Sequence, residues 1–123
     1  MEWRHLFTVL TPSYNRAHTL ERVYRSLCEQ TCQDFEWVVV DDGSTDATRE
    51  VLERYTRVLP LSVIRHEQRR GYARSVEQLL RESVERTDRP KRDCAILMHA
   101  DFAHGPHFIP DLVRRIESGA DIV

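Results

Sequence analysis

Short, continuous apolar runs alternate along this chain with longer stretches in which apolar residues recur every three or four positions. That alternation marks strands and helices taking turns. Leu6 to Thr11 is the first run, and the helical period follows from Ala17 through Leu20, Val23, Tyr24, Leu27 and Cys28, ending near Gln30. Phe35 to Val40 is aromatic and β-branched, long enough for a strand and too short for a buried helix. Beyond Gly43, the side chains of Ser44, Thr45 and Asp46 are all good N-caps for a helix carrying Val51, Leu52, Tyr55 and Val58, which Pro60 ends. Leu61 to Ile64 is a third strand, and Ala73, Val76, Leu79, Leu80 and Val84 line one face of a third helix. Thr87 to Asp93 reads as a loop, and Cys94 to Met98 as a fourth strand, apolar throughout. Pro106 and Pro110 suit the first turn of a helix whose apolar face is Phe108, Ile109, Leu112, Val113 and Ile116. Gly119 then reads as its cap, and Asp121 to Val123 as the opening of a fifth strand.

Strand and helix in this rhythm predict an α/β fold with a Rossmann-like, mostly parallel sheet and helices on both faces. In such sheets ligands bind outside the carboxyl ends of the strands, so chemistry is expected just after each apolar run. With 123 residues, 41% of them hydrophobic, residues 1–123 are expected to form one domain with a real core. The break inside a final apolar run suggests a piece of a longer protein.

Charge and cysteine content narrow the picture. Charged residues make up 31% of the chain, yet the net charge is only −2, so no general field favours nucleic acid, and any phosphate binding must be local. No apolar stretch approaches a membrane span and the first residues lack the apolar core of a signal peptide, which makes a cytosolic location the expectation. Cys28, Cys32 and Cys94 are too few and too scattered for a disulfide framework. Cys28 and Cys32 are four apart and could hold half a metal site, but Cys28 already fills a slot in the apolar stripe. All 18 basic residues but Lys91 are arginine, a side chain suited to phosphate.

The unusual residues do follow the strands. Thr11-Pro12-Ser13-Tyr14-Asn15-Arg16 combines a fixed-φ proline, a ring able to stack on a base, and small hydrogen-bonding groups. It would serve equally well as plain turn chemistry. Asp41-Asp42-Gly43-Ser44-Thr45-Asp46 places two adjacent carboxylates after the second strand; one can face a ligand while the other braces the loop, or both can belong to a capped turn. His99-Ala100-Asp101 sets an imidazole and a carboxylate two apart, a spacing that can direct both at one divalent ion. An exposed acidic turn would explain it too. A zinc site from Cys94, His99, His104 and His107 is disfavoured, because Cys94 lies inside a strand.

Taken together, these segments resemble family 2 glycosyltransferases of the GT-A fold. Pro12 to Asn15 is similar to that family's first-strand signature and Val38 to Asp46 to its second, and His99-Ala100-Asp101 falls where its Asp-x-Asp metal motif belongs. Phe102 to Pro106 and Ile109-Pro110 further resemble the polyprenyl-phosphate branch. The resemblance implies the nucleotide-sugar-binding half of an inverting transferase, the acceptor half being absent, with UDP- or GDP-sugar as donor and Mn²⁺ or Mg²⁺ as cofactor. It implies a donor site of Pro12, Tyr14, Asn15, Asp42, Arg74 and Asp101. Tyr14 would lie against the base, Asp42 would accept from it, and Arg70 is an alternative to Arg74. Asp101 and His99 would hold the metal, with Mn²⁺ preferred because His99 replaces the first Asp. No residue after Asp101 has a claim as general base. The acceptor is open between a polyprenyl phosphate and a polysaccharide, which would put the protein in the cytosol or at the membrane periphery, and an uncovered apolar face raises self-association. Two other classes remain: a non-catalytic regulatory module of the same fold, favoured by His99, and another α/β nucleotide-dependent enzyme. Against the latter, the chain has only four glycines and neither a Gly-x-Gly-x-x-Gly nor a Gly-x-x-x-x-Gly-Lys loop.

Overall fold

The structure, a computed structural model, describes residues 7–30, 33–86, 94–98, 112, 114 and 115. Strand β1 (Phe7–Ser13) leads into helix α1 (Ala17–Cys28), β2 (Phe35–Asp42), α2 (Thr48–Tyr55), β3 (Leu61–His66), α3 (Tyr72–Arg86) and β4 (Cys94–Leu97). Leu112, Arg114 and Arg115 are helical, as their sequence period implies. The other features expected after Met98 lie outside the described residues.

Every described strand pairs in parallel, in the order β3-β2-β1-β4. The expected mostly parallel sheet is therefore wholly parallel among the described residues. The chain steps outward from β1 to β2 to β3 and then crosses back to the far side of β1. Right-handed crossovers taken in opposite directions must put their helices on opposite faces, and the packing agrees. Phe7, Val9, Phe35, Trp37 and Val39 meet Leu20, Val23 and Leu27 of α1 and Val51 and Leu52 of α2 in one core. Leu10, Val38 and Val40, the alternate residues of the same strands, meet Leu79 of α3 in another. The strand order reverses between β1 and β4, the point at which sheets of this kind bind ligands at their carboxyl edge.

Several details depart from the sequence pattern. β1, β2 and β3 each run two residues further than their apolar runs, so Ser13, Asp42 and His66 are strand residues. Helix α2 stops at Tyr55, well before Pro60. The turn that follows, in which Thr56 Oγ1 donates to Glu53 O at 2.7 Å, shifts the phase: Leu59 enters the core and Val58 stays 62% exposed. In α3 the inward residues are Ser75 and Leu79, while Leu80 and Val84 are exposed. Cys28 is exposed, outside the stripe assigned to it. β4 is half-buried, since as an end strand of the described sheet it is paired on one side only.

Candidate functional site

At the end of β1 the polar groups turn first toward the fold itself. Thr11 Oγ1 accepts the indole N–H of Trp37 at 2.9 Å, which satisfies the one polar atom of a fully buried tryptophan. Pro12 is buried and level with Val40 of β2. On the β4 side Met98 N–H donates to Leu10 O at 2.8 Å, and Pro12, which has no N–H, cannot supply the next bond of that ladder. Ser13 Oγ is buried and, among the described residues, lacks a hydrogen-bond partner. Asn15 adopts a left-handed backbone, φ 51°, which asparagine tolerates better than most residues.

That conformation aims the Asn15 carboxamide at the next loop. Its Oδ1 accepts the Thr45 N–H at 2.8 Å and the Asp46 N–H at 3.3 Å, and the Asn15 backbone N–H donates to Ser44 Oγ at 3.0 Å. Ser44 and Thr45, good caps on paper, thus hold the β1–α1 loop instead of capping α2. Asp46 serves both helices. One carboxylate oxygen accepts from Thr48 N–H at 3.0 Å and from the Thr48 hydroxyl, and the other accepts from Ala17 N–H at 3.4 Å. A negative charge between two helix N-termini is well placed electrostatically. Burial works to raise the Asp46 carboxyl, but the bonds from Thr48 and Ala17 outweigh it and hold the group below the usual range.

At the end of β2 the adjacent carboxylates part company, as successive strand residues must. Asp41 accepts from Ser44 N–H at 3.3 Å and from the Arg65 guanidinium at 3.4 Å. Asp42, on the α3 side, is 4% exposed and takes three donors: Arg70 N–H at 2.7 Å, Gly71 N–H at 2.9 Å and His66 Nδ1–H at 2.8 Å. Burial would raise its carboxyl; Arg70, His66 and Gly71 together reverse that and leave it lowered. The far nitrogen of His66 meets the Gln78 carboxamide of α3. Gly43, with φ 72°, lies so close to the next loop that an added Cβ would be 2.7 Å from Arg69 N. Asp42 and Gly43 thereby fasten residues 68–71 to the end of β2. From that fastened loop the Arg69 guanidinium reaches over the Tyr14 ring, 4.1 Å from its centroid.

Among the residues expected from sequence, Pro12, Tyr14, Asn15 and Asp42 therefore stand at one rim. Tyr14 is tied to Asp42 through residues 69–71, while Asn15 is engaged by the neighbouring loop. Arg74 is on α3 and lines, with Arg70, Glu77, Gln78 and Arg81, an open cavity of about 300 Å³. The lining includes neither Tyr14 nor Asp42. His99 and Asp101 follow β4, whose end lies at the same rim as that of β1, and lie outside the described residues. Among the described residues no cluster of three or more His, Cys, Asp or Glu side chains could hold a metal ion. Sequence reasoning missed Arg69, His66 and Gln78. His66 could have been paired with Asp42 only from the β2–β3 register, and Arg69 carried no signal beyond its place before Gly71.

Comparison with known proteins bears on what this rim does. Residues 8–123 match the family model described as glycosyl transferase family 2. The chain is 32% identical over 117 residues to the dolichol-phosphate mannosyltransferase of Pyrococcus furiosus, covering 94% of itself and 31% of that relative. Its fold is similar to that of S. aureus TarS residues 1–349 in complex with UDP-GlcNAc, with a TM-score of 0.73 and 26% identity, over 91% of this chain and 31% of that one. It also resembles the mannosyltransferase PcManGT from Pyrobaculum calidifontis in complex with GDP-Man and Mn²⁺, with a TM-score of 0.58 and 33% identity, over 64% of this chain and 24% of that one. The chain spans about a third or less of the length of the curated relatives it matches.

Proposed function

This chain belongs to glycosyl transferase family 2, and from that premise we propose that it is the donor-binding portion of an inverting glycosyltransferase. It holds a nucleoside diphosphate sugar, UDP- or GDP-linked, together with Mn²⁺ or Mg²⁺, at the carboxyl edge of its parallel sheet. The observation that carries this reading is the Tyr14 ring at the end of β1, beside the point where strand order reverses and under a guanidinium held from the next loop. An aromatic face there accepts a nucleobase by stacking. The likeness to proteins whose structures hold UDP-GlcNAc, and GDP-Man with Mn²⁺, supports the same class of donor.

Within this reading His99 and Asp101 would hold the metal, an imidazole and carboxylate pair that suits Mn²⁺ better than Mg²⁺. When bound, the metal supplies charge neutralisation to the departing diphosphate. The described residues orient the donor: Tyr14 presents its face, and Asp42 and Gly43 keep the Arg69 loop over it. The general base is assigned to no residue of this chain. A polyprenyl phosphate is the acceptor that the Pyrococcus relative's name suggests. It would place the reaction at a membrane surface served from the cytosol. Among the described residues no helix is long and apolar enough to cross a membrane.

The test is a thermal titration with UDP, GDP and their sugars, with and without Mn²⁺. A matching nucleotide at 100 times its Kd should add about 2.7 kcal/mol of stability, and Mn²⁺ should strengthen the effect. Asp101→Ala should remove the Mn²⁺ increment; an unchanged increment takes Asp101 out of the site. Nucleotide binding that ignores metal favours the non-catalytic module, the reading that His99 in place of an aspartate supports.

A further inference from the structure

The carboxylate of Asp42 is the natural candidate for a group that accepts a hydrogen bond from the nucleobase, yet its surroundings leave it little freedom to do so. It is 4% exposed, and both of its oxygens are taken: Oδ1 by Arg70 N–H and His66 Nδ1–H, Oδ2 by Gly71 N–H. All three donors belong to the end of β3 and the loop that follows it. Gly43 adds a second, independent fastening, because only a residue without a Cβ lets the backbone of Gln68 and Arg69 come so near. The loop held in these two ways carries the Arg69 guanidinium to the rim, stacked on Tyr14.

We propose that Asp42 is a positioning residue that acts on the donor through Arg69. Its carboxylate and the bare Gly43 hold the β3–α3 loop so that Arg69 lies on the Tyr14 ring, and Arg69 is the charged group a nucleotide meets there. The inference rests on the nucleotide-sugar reading above and deepens it. A guanidinium offers only donors, so the chemistry presented to the nucleotide is complementary to carbonyl and phosphate oxygens. A carboxylate reading the base would instead select for ring N–H groups. Asp42 in this role weakens all nucleotides alike when altered, because it changes where Arg69 stands and removes no contact to any one base.

The full chain carries the test. Binding of UDP and GDP is measured by calorimetry for the wild type, Arg69→Ala, Asp42→Asn, Gly43→Ala and the double variant Asp42→Asn/Arg69→Ala. Exchange of the Arg70 and Gly71 amides is followed alongside without nucleotide. Each single change should weaken both nucleotides, Arg69→Ala by roughly 10- to 100-fold for the loss of one charge-assisted hydrogen bond and the other two by no more. The double variant should bind no more weakly than the worse single one. Gly43→Ala should reproduce the loss with the Asp42 carboxylate intact, and the two amides should exchange faster in Asp42→Asn. A double loss equal to the product of the single losses overturns the proposal, since a direct contact between Asp42 and the base gives that result. So does amide exchange that Asp42→Asn leaves unchanged. Should Asp42→Asn fail to fold, Gly43→Ala combined with Arg69→Ala carries the same coupling test. If the wild type binds neither nucleotide, the functional reading falls and the nucleotide half of this inference with it, while amide exchange still decides whether the clamp exists.

Discussion

Asp41 and Asp42 are neighbours in sequence and strangers in space. Because successive strand residues face opposite ways, Asp41 braces the β2–α2 loop and Asp42 the β3–α3 loop, on the two sides of the sheet. The pair was legible as two adjacent carboxylates at a strand end, and that one would brace a loop was readable. That Asp42 braces a different loop from its own was not, since its donors, His66, Arg70 and Gly71, come from residues that no local pattern links to it. The pH dependence of stability follows from the same contacts. Burial alone would raise the Asp42 carboxyl, but the donors from Arg70, His66 and Gly71 lower it on balance, and Thr48 and Ala17 do the same for Asp46. A carboxyl whose native pKa is depressed contributes stability that is complete above its unfolded value, about 3.9, and lost as pH falls through the native one. Urea unfolding should therefore show stability declining as the solution is acidified below about pH 4, with a shallower decline in Asp42→Asn. Equal slopes for the two proteins would contradict this origin.

Among the elements, α1 and α3 show how far periodicity can be trusted. The apolar stripe of α1 was read correctly for Leu20, Val23 and Leu27, which are fully buried, because a layer of two helices and a sheet covers them. In α3 the same arithmetic grouped Ala73, Val76, Leu79, Leu80 and Val84, yet only Leu79 is fully buried and the helix turns Ser75 inward beside it. Ser75 can face in because its hydroxyl donates to Gly71 O at 3.0 Å, so the buried polar group is satisfied within the helix. Among the described residues, Leu79 is then the one fully buried apolar side chain of α3 packed on Leu10, Val38 and Val40. Leu79→Ala should cost about 2–5 kcal/mol, against less than about 0.5 kcal/mol for Val84→Ala at 70% exposure. Chemical denaturation of the two variants checks the contrast, and similar losses would mean that α3 is held elsewhere.

For the molecule as a whole, the two faces of the sheet are unequally supported. Among the described residues, buried side chains of four elements meet on the α1/α2 face around Trp37, Phe7 and Phe35, whereas few meet on the α3 face. Local opening follows the density of buried contacts, so amides of β1 and β2 should exchange slowest and those of α3 and β4 markedly faster. Hydrogen exchange under native conditions measures this, and equal protection across the sheet and α3 would refute it. By itself, the sequence determined the order of the elements, the parallel α/β class and the strand ends at which polar residues gather. Those properties rest on short-range regularities: the periods of 2 and 3.6, and the φ preferences of glycine, proline and asparagine. Tertiary structure alone decided which groups answer one another across the rim: Asn15 with Thr45, 30 residues away, Asp42 with Arg70, 28 away, and Arg69 with Tyr14. Hydrogen bonds and stacking act over a few ångströms. Only once the sheet has set its strand order and register are residues so far apart along the chain brought within that reach.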